Sequence, residues 1–394
     1  MDRPGRRPII FYITPSDFGL LKGDSINDIN FIRSVSSFAH LVVISRTKSG
    51  RKGTPRELRS GDLRLYRVPT FDRVGMRIMS TAFFSVVASA IVAMSSSKLR
   101  RNLVFVRNPL VCVIALLLIG RVKGNRIMYR THSVPYASRE LQYFLPRLPK
   151  VVSKVVLCFF RIMDTLALTK SHCVICASPN EMDTIRRGLR VKSAVWIPFS
   201  VREDFFKASR DASLTPHRPF RVGYVGGFES VYDFDCLLEA LSGVQNVEIH
   251  FVGDGPLREP VMKKCRSLNL KAFFFGLMPN SQVPRFLSWV DCLVECPRAG
   301  SLLVAQKTSE ALAAGLAVVT TQYEALNLGL TDGYECVSFR AGDAQDLRRA
   351  LIRLTENRFY ARDLGAHARR YAFRFRESEV ARQYERLILG CLIA

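Results

Sequence analysis

Acidic residues are missing from Arg73 to Arg139, while basic ones recur there from Arg77 through Arg107 to Arg130. The shortage is regional. Residues 1–200 hold 33 Lys and Arg against 11 Asp and Glu, a net of +22, and residues 201–394 hold 25 against 23, a net of +2. A near-neutral second half excludes a chain that is cationic throughout. The first half instead carries a field suited to an anionic surface, whether acidic phospholipid, a lipid phosphate or nucleic acid. Paired metal-type cysteine spacings are also missing. Of ten cysteines, Cys173 and Cys176 form a CxxC inside an apolar run, with no second CxxC and no histidine pair. That pattern excludes a zinc module and indicates small buried thiols of a reduced, cytosolic protein. Met1–Pro8 is basic but is followed by neither an apolar core nor a small-residue cleavage site, so no secretory signal is expected. No repeat of 20–50 residues is present, which excludes a solenoid.

What is present is enough apolar residue, 48% of 394, for two domains with separate cores. Ile78–Ser97 has no charge over 20 residues, near the length that crosses a bilayer. Its seven Ser and Thr weaken it as a spanning helix, and a spanning and a membrane-touching helix both stay open as readings. Leu110–Ile119 is shorter and fits a core helix.

Short apolar runs alternate with helical ones along the first half. Ile9–Ile13, Leu41–Ile44, Leu65–Val68, Leu103–Val106, Arg126–Arg130, Cys173–Cys176 and Ala194–Ile197 read as strands. Ser209–Pro219 is polar and contains proline, as a linker does. A second series follows, with Phe220–Val225 ending at Gly226-Gly227, Glu248–Val252 at Gly253-Asp254-Gly255, and Ala272–Phe275 at Gly276. The pattern predicts an α/β protein with two doubly wound, parallel-sheet, Rossmann-like domains facing a cleft. Expected boundaries are 1–200 for a basic, acceptor-binding domain, 201–219 for the linker, 220–372 for the second domain, and 373–394 for a final helix packing back toward the first domain. In that helix Val380, Tyr384, Leu387 and Ile388 form one stripe.

The segment Lys307–Val319 joins a helix start, a glycine stop at Gly315 and a buried strand. Lys307 and Glu310 are one turn apart, which puts them on one helix face. A helix start favours an anion such as a diphosphate, Lys307 adds a positive charge, and Glu310 can accept hydrogen bonds from ribose hydroxyls. An ordinary solvated Lys–Glu pair has the same spacing. Ligands of open parallel sheets bind beyond the carboxyl ends of the strands, where Gly226-Gly227, Gly253, His132 and the Lys307 helix all fall.

Taken in order, Tyr224-Val225-Gly226, Phe251–Arg258, Phe275–Met278, Val290–Val294, Lys307–Val319 and Gly342-Asp343 resemble the nucleotide-sugar domain of GT-B glycosyltransferases, most of all the retaining family 4 of group 1 type. The first half is similar more loosely, through its first strand, Arg107-Asn108-Pro109 and the strand ending at His132. The resemblance implies transfer of a sugar from an NDP-sugar, with retention, to an acceptor. Donor-binding residues would be Gly226, Gly227, Gly253, Phe275, Gly276, Leu277, Lys307, Thr308 and Glu310, with the helix starting near Leu303. His132 and Lys307 would serve catalysis, and His132 would line the sugar and acceptor side. No metal or other cofactor is implied. Family 4 usually has a glutamate eight positions before Glu310, where this chain has Leu302. The diphosphate-binding Arg and Lys of the family fall near Gly227 and Tyr232, so Lys307 becomes the main diphosphate cation, with Arg298 as a helper. An inverting enzyme would instead need a base, and His132, Asp24 and Asp17 are then candidates.

The charge of the first half points to a lipid-linked or glycan acceptor at an anionic membrane, and so to a cytoplasmic protein peripheral on the inner face of the cell membrane. Nucleic acid is not expected as a partner, because Phe83, Phe84, Phe159 and Phe160 lie in apolar runs that read as buried. A nucleic-acid-binding or inactive GT-B-like protein and a sugar-nucleotide epimerase are the alternatives.

Overall fold

A computed structural model describes residues 7–18, 23–48, 63–70, 77–96, 102–120, 122, 124–131, 149–208, 219–298 and 306–393. The chain forms two compact units. Residues 1–200 join with 377–394, and residues 201–376 form the other.

The first unit holds seven strands: β1 (Ile9–Thr14), β2 (His40–Lys48), β3 (Leu63–Thr70), β4 (Asn102–Arg107), β5 (Asn125–Arg130), β6 (Cys173–Cys176) and β7 (Ala194–Trp196). All pair in parallel, in the order β3-β2-β1-β4-β5-β6-β7. Every residue of β4 and every residue of β6 is buried, as expected of parallel strands covered on both faces. Helices α1 (Gly23–Ser36), α2 (Arg77–Ser96), α3 (Pro109–Leu118), α4 (Lys150–Lys170) and α5 (Pro179–Gly188) make the crossovers. The start of α3 is fixed locally: the Asn108 side chain accepts the N–H groups of Leu110 and Val111, and Pro109 supplies the first helical φ.

One face of this sheet packs on α2, α3 and α4 through Phe84, Ala88, Val111 and Leu168. The other packs on α1 through Phe31 and Ile32, and on the last helix of the chain (Glu377–Ile393) through Val380, Tyr384 and Ile388. The helix expected at 373–394 therefore starts at Glu377 and belongs to the first unit, while Phe373–Phe375 forms a 3-10 turn of the second.

A buried polar cluster ties these layers together. Asp28 on α1 is wholly buried. It accepts the hydroxyls of Tyr12 and Thr14, each at 2.6 Å, and pairs with Arg107 at 2.7 Å and Arg130 at 3.4 Å. Arg130 also donates to the Tyr384 hydroxyl at 3.2 Å, and Arg33 pairs with Glu377 at 3.0 Å. The cluster thus links α1, β1, β4, β5 and the final helix.

The structure corrects the expectation for the phenylalanine pairs. Phe84 and Phe160 are buried, but Phe83 is 52% and Phe159 38% exposed. Successive helical residues point about 100° apart, so only one member of each pair can face the core. The same geometry describes the uncharged stretch. Ile78–Ser95 is long and apolar enough to cross a membrane, yet only one third of it is buried, and that third belongs to the core.

The second unit begins inside the expected linker, with the short helix α6 (Glu203–Lys207), whose Phe205 and Phe206 are buried. Its strands are β8 (Phe220–Val225), β9 (Val247–Val252), β10 (Ala272–Phe274), β11 (Cys292–Val294), β12 (Ala317–Thr321) and β13 (Val337–Phe339). They are again parallel, in the order β10-β9-β8-β11-β12-β13. Helices α7 (Phe234–Ser242), α8 (Arg258–Ser267), α9 (Val283–Trp289), α10 (Gln306–Ala313), α11 (Gln322–Leu328), α12 (Ala344–Glu356) and α13 (Arg358–Ala372) complete the layers. Replacing Asp28 with Ala should leave two buried guanidinium groups without their carboxylate. The denaturant midpoint of the first unit should then fall by the equivalent of about 3–5 kcal/mol.

Candidate functional site

In the second sheet the strand order changes direction between β8 and β11, and the loops that leave these strands and β9 and β10 are laced together by their backbones. The N–H of Gly226 donates to the Val252 carbonyl at 2.9 Å, and the N–H of Gly253 donates to the Gly276 carbonyl at 2.7 Å. Two glycines are required by close approach. Gly253 has φ +131°, and a Cβ there would lie 1.9 Å from the Gly226 carbonyl oxygen. Gly226 has φ +150°, and a Cβ there would lie 2.7 Å from the Lys307 ammonium. Gly227 is less constrained; its carbonyl accepts the Tyr224 hydroxyl at 2.7 Å.

Lys307 is the second residue of α10, and its ammonium reaches back under this lattice of loops. It lies 2.9 Å from a carboxylate oxygen of Glu295, the first residue after β11. It also stands 4.3 Å from the Tyr224 ring centroid and 4.1 Å from that of Tyr232. Burial works against the charge, but Glu295 and Tyr232 outweigh it, so the ammonium holds its proton more tightly than usual. Burial pushes the Glu295 carboxyl upward while Lys307 pulls it down. At position 232 this chain places an aromatic ring, and Lys307 stands over it.

Glu310 lies one turn along α10 and is 7% exposed. Burial pushes its pKa up to about 8, against the opposing influence of Arg202 and the Gln306 side chain. Arg202 pairs with Asp204 and donates to the Asn280 carbonyl at 3.2 Å. Through Arg202, the loop that follows β10 is tied to the neighbourhood of Glu310. In that loop Phe275 is 49% and Leu277 80% exposed, and the Phe275 ring meets Phe286 and Trp289 edge-on. Thr308 is wholly buried, and its hydroxyl has no hydrogen-bond partner among the described residues. Helix α10 stops at Gly315, which has φ +72°.

The structure therefore brings Gly226, Gly227, Gly253, Gly276, Lys307, Thr308 and Glu310 to one end of one sheet, with Phe275 and Leu277 beside them. The alternative of a solvated Lys–Glu pair is excluded, because both side chains are buried and each has other partners. Arg298 is engaged with the Ser230 carbonyl at 3.0 Å and with Asp233 at 3.6 Å. In the first unit Asp17 is buried and its carbonyl accepts the Ser25 hydroxyl. His132, Leu302, Leu303 and the Asp24 side chain lie outside the described residues. Sequence reasoning missed Glu295 and Arg202. The signal for Glu295 was available, since it is the one charge in the apolar run Cys292–Cys296 and stands where a strand ends.

Residues 219–357 match the family model described as glycosyl transferases group 1. The whole chain is similar in fold to sucrose-phosphate synthase from Thermosynechococcus elongatus, with a TM-score of 0.80 at 16% identity over 98% of this chain and 100% of that one. HepE of Anabaena in complex with UDP is similar at a TM-score of 0.73 and 14% identity, over 97% and 100% of the two chains. WaaG, a glycosyltransferase of lipopolysaccharide biosynthesis, is similar at 0.68 and 15%, again over 97% and 100%. No curated protein sequence matches.

Because the folded pKa of Glu310 lies above its unfolded value, native protein keeps a proton that unfolded chain releases. Stability should fall as pH rises from about 4.5 to about 8 and then level off. Replacing Glu310 with Gln should remove that decline, on the order of a few kcal/mol, in urea denaturation compared at pH 5 and pH 8.5.

Proposed function

We propose that this chain, which has the GT-B fold and matches the group 1 glycosyltransferase model over residues 219–357, moves a sugar from a nucleoside-diphosphate sugar to a lipid-linked or glycan acceptor at an anionic membrane, with retention. The observation that carries the donor assignment is the ammonium of Lys307 held at Gly226, beside a turn at Gly253 where the Gly226 carbonyl leaves no room for a side chain. A diphosphate leaving group gains negative charge as its bond to the sugar breaks. A cation fixed in advance at that point lowers the barrier without reorganising during the reaction. Lys307 supplies that charge, so no metal is needed in this scheme. Glu310 would receive the ribose hydroxyls, and the loop carrying Phe275 and Leu277 would receive the base. HepE, which is similar in fold, has been solved with UDP and with UDP-glucose, in keeping with a nucleoside-diphosphate sugar as donor. Retention follows from the likeness to family 4: the acceptor reacts on the face the diphosphate leaves, and the diphosphate oxygen takes the acceptor's proton. His132, just beyond β5, would stand on the acceptor side.

The membrane part is supported by one face of the first unit. The outer sides of α2, α3 and α4 expose Met79, Phe83, Val86, Leu117, Val155 and Ile162. Lys150, Lys154, Arg161 and Lys170 of α4 are exposed among them. The one acidic residue on these three helices, Asp164, is buried. Apolar side chains ringed only by cations suit the boundary of an acidic bilayer, and they suit it better than nucleic acid, because the two exposed rings have aliphatic neighbours. Location on the inner face of the cell membrane belongs to the same proposal.

UDP, GDP, CDP and ADP should be screened for thermal stabilisation of the full chain, since a ligand of the native state raises its melting temperature. At least one should stabilise it, and Lys307→Met and Glu310→Ala should each abolish the shift; no shift from any of the four would overturn the donor assignment. In flotation, the protein should rise with phosphatidylglycerol vesicles but not with phosphatidylcholine vesicles, and Val155→Glu with Ile162→Glu should release it. Equal behaviour with both lipids would count against the membrane.

A further inference from the structure

Glu295 takes no part in the scheme above, yet its placement is specific. It is 1% exposed and follows directly on β11, level with Val225, the last residue of the neighbouring β8, from which Gly226 follows. Its backbone N–H is satisfied by the Val319 carbonyl at 2.8 Å, so the peptide is fixed by the sheet. One side-chain oxygen meets Lys307, and the other has no hydrogen-bond partner among the described residues. A buried pair built for stability alone gains little over apolar residues of the same size and needs its remaining oxygen satisfied. This pair leaves that oxygen without a partner among the described residues, and the ammonium is flanked by the Tyr224 ring and by Tyr232, whose side chain is hydrogen-bonded to it. The ammonium is therefore held in place, by the Glu295 carboxylate on one side and Tyr232 on another.

We propose that Glu295 is a positioning residue, which keeps Lys307 charged and aimed at the Gly226 turn so that the donor diphosphate meets a cation already in place. The inference rests on the reading of Lys307 as the diphosphate contact and adds the group that controls it. The titratable groups facing the ammonium are Glu295, Tyr232, Tyr224 and Cys296, and among them Glu295 does most to favour its charge. Glu295→Gln keeps the size of the side chain and removes its charge. Burial then acts on Lys307 without the main force opposing it, and the lysine should release its proton at lower pH.

The test is isothermal titration of the full chain with the most stabilising of UDP, GDP, CDP and ADP, from pH 6.5 to pH 9.5. In Glu295→Gln we expect affinity to drop about tenfold or more at pH 8.5, with a smaller loss at pH 6.5, while wild type stays flat over the range. Glu295→Asp, which keeps the charge, should stay as flat as wild type. Glu295→Met combined with Lys307→Met replaces the pair by apolar groups, should fold, and should bind no worse than Lys307→Met alone. A pH profile of Glu295→Gln parallel to wild type, or losses that simply add in the double variant, would overturn the proposal while leaving the donor site standing. Unchanged binding by Lys307→Met would remove both.

Discussion

Each sheet has one place where neighbouring strands send their crossovers in opposite directions, and at each the chain buries an ion pair. In the first unit it is Asp28 with Arg107, and in the second it is Glu295 with Lys307. The polarity is reversed: the acid rides on a helix in one case and the base does so in the other. Elsewhere the interior of a doubly wound sheet is filled by aliphatic and aromatic side chains from both faces. At the switch point the helices diverge and the strand-end peptides are left partly uncovered, so polar groups can be accommodated there if they satisfy one another. The first pair is enlarged by Tyr12, Thr14 and Arg130 into a closed network. The second keeps one carboxylate oxygen without a hydrogen-bond partner among the described residues.

That difference separates a structural cluster from a candidate ligand site more sharply than charge does. Arg130 is spent on Asp28, the Tyr12 and Tyr384 hydroxyls and the Phe31 ring. Lys307 has the Glu295 carboxylate, a hydrogen bond with the Tyr232 side chain and two aromatic rings. Both cations are buried, and composition alone could not have told them apart.

The fold was legible in the sequence because parallel strands covered on both faces are uniformly apolar, and runs such as Leu103–Val106 and Cys173–Cys176 announce themselves. The glycines of the site were legible for a similar reason, since a Cβ at Gly253 would occupy the place of a neighbouring carbonyl. Glu295 stood out as a lone charge in an apolar run, but its pairing with Lys307 was not legible, because the two lie twelve positions apart with no spacing rule to connect them. The exposed sides of Phe83 and Phe159 were hidden because an apolar helix reads as buried all round when only one of its faces meets the core. The helix Lys150–Lys170 has the same ambiguity, with apolar residues on its inner and outer faces alike.

The chain enters the second unit at Val201 and leaves it at Arg376, where the two ends lie side by side, the Val201 N–H donating to the Phe375 carbonyl at 2.7 Å. The first unit is thus interrupted in the order of synthesis. While the ribosome makes residues 201–376, the surface of Phe31 and Ile32 waits without Val380, Tyr384 and Ile388, and Arg130 waits without its tyrosine. The domain that is translated first is the one that finishes last, and for that interval it shows water an apolar face that the completed protein never exposes.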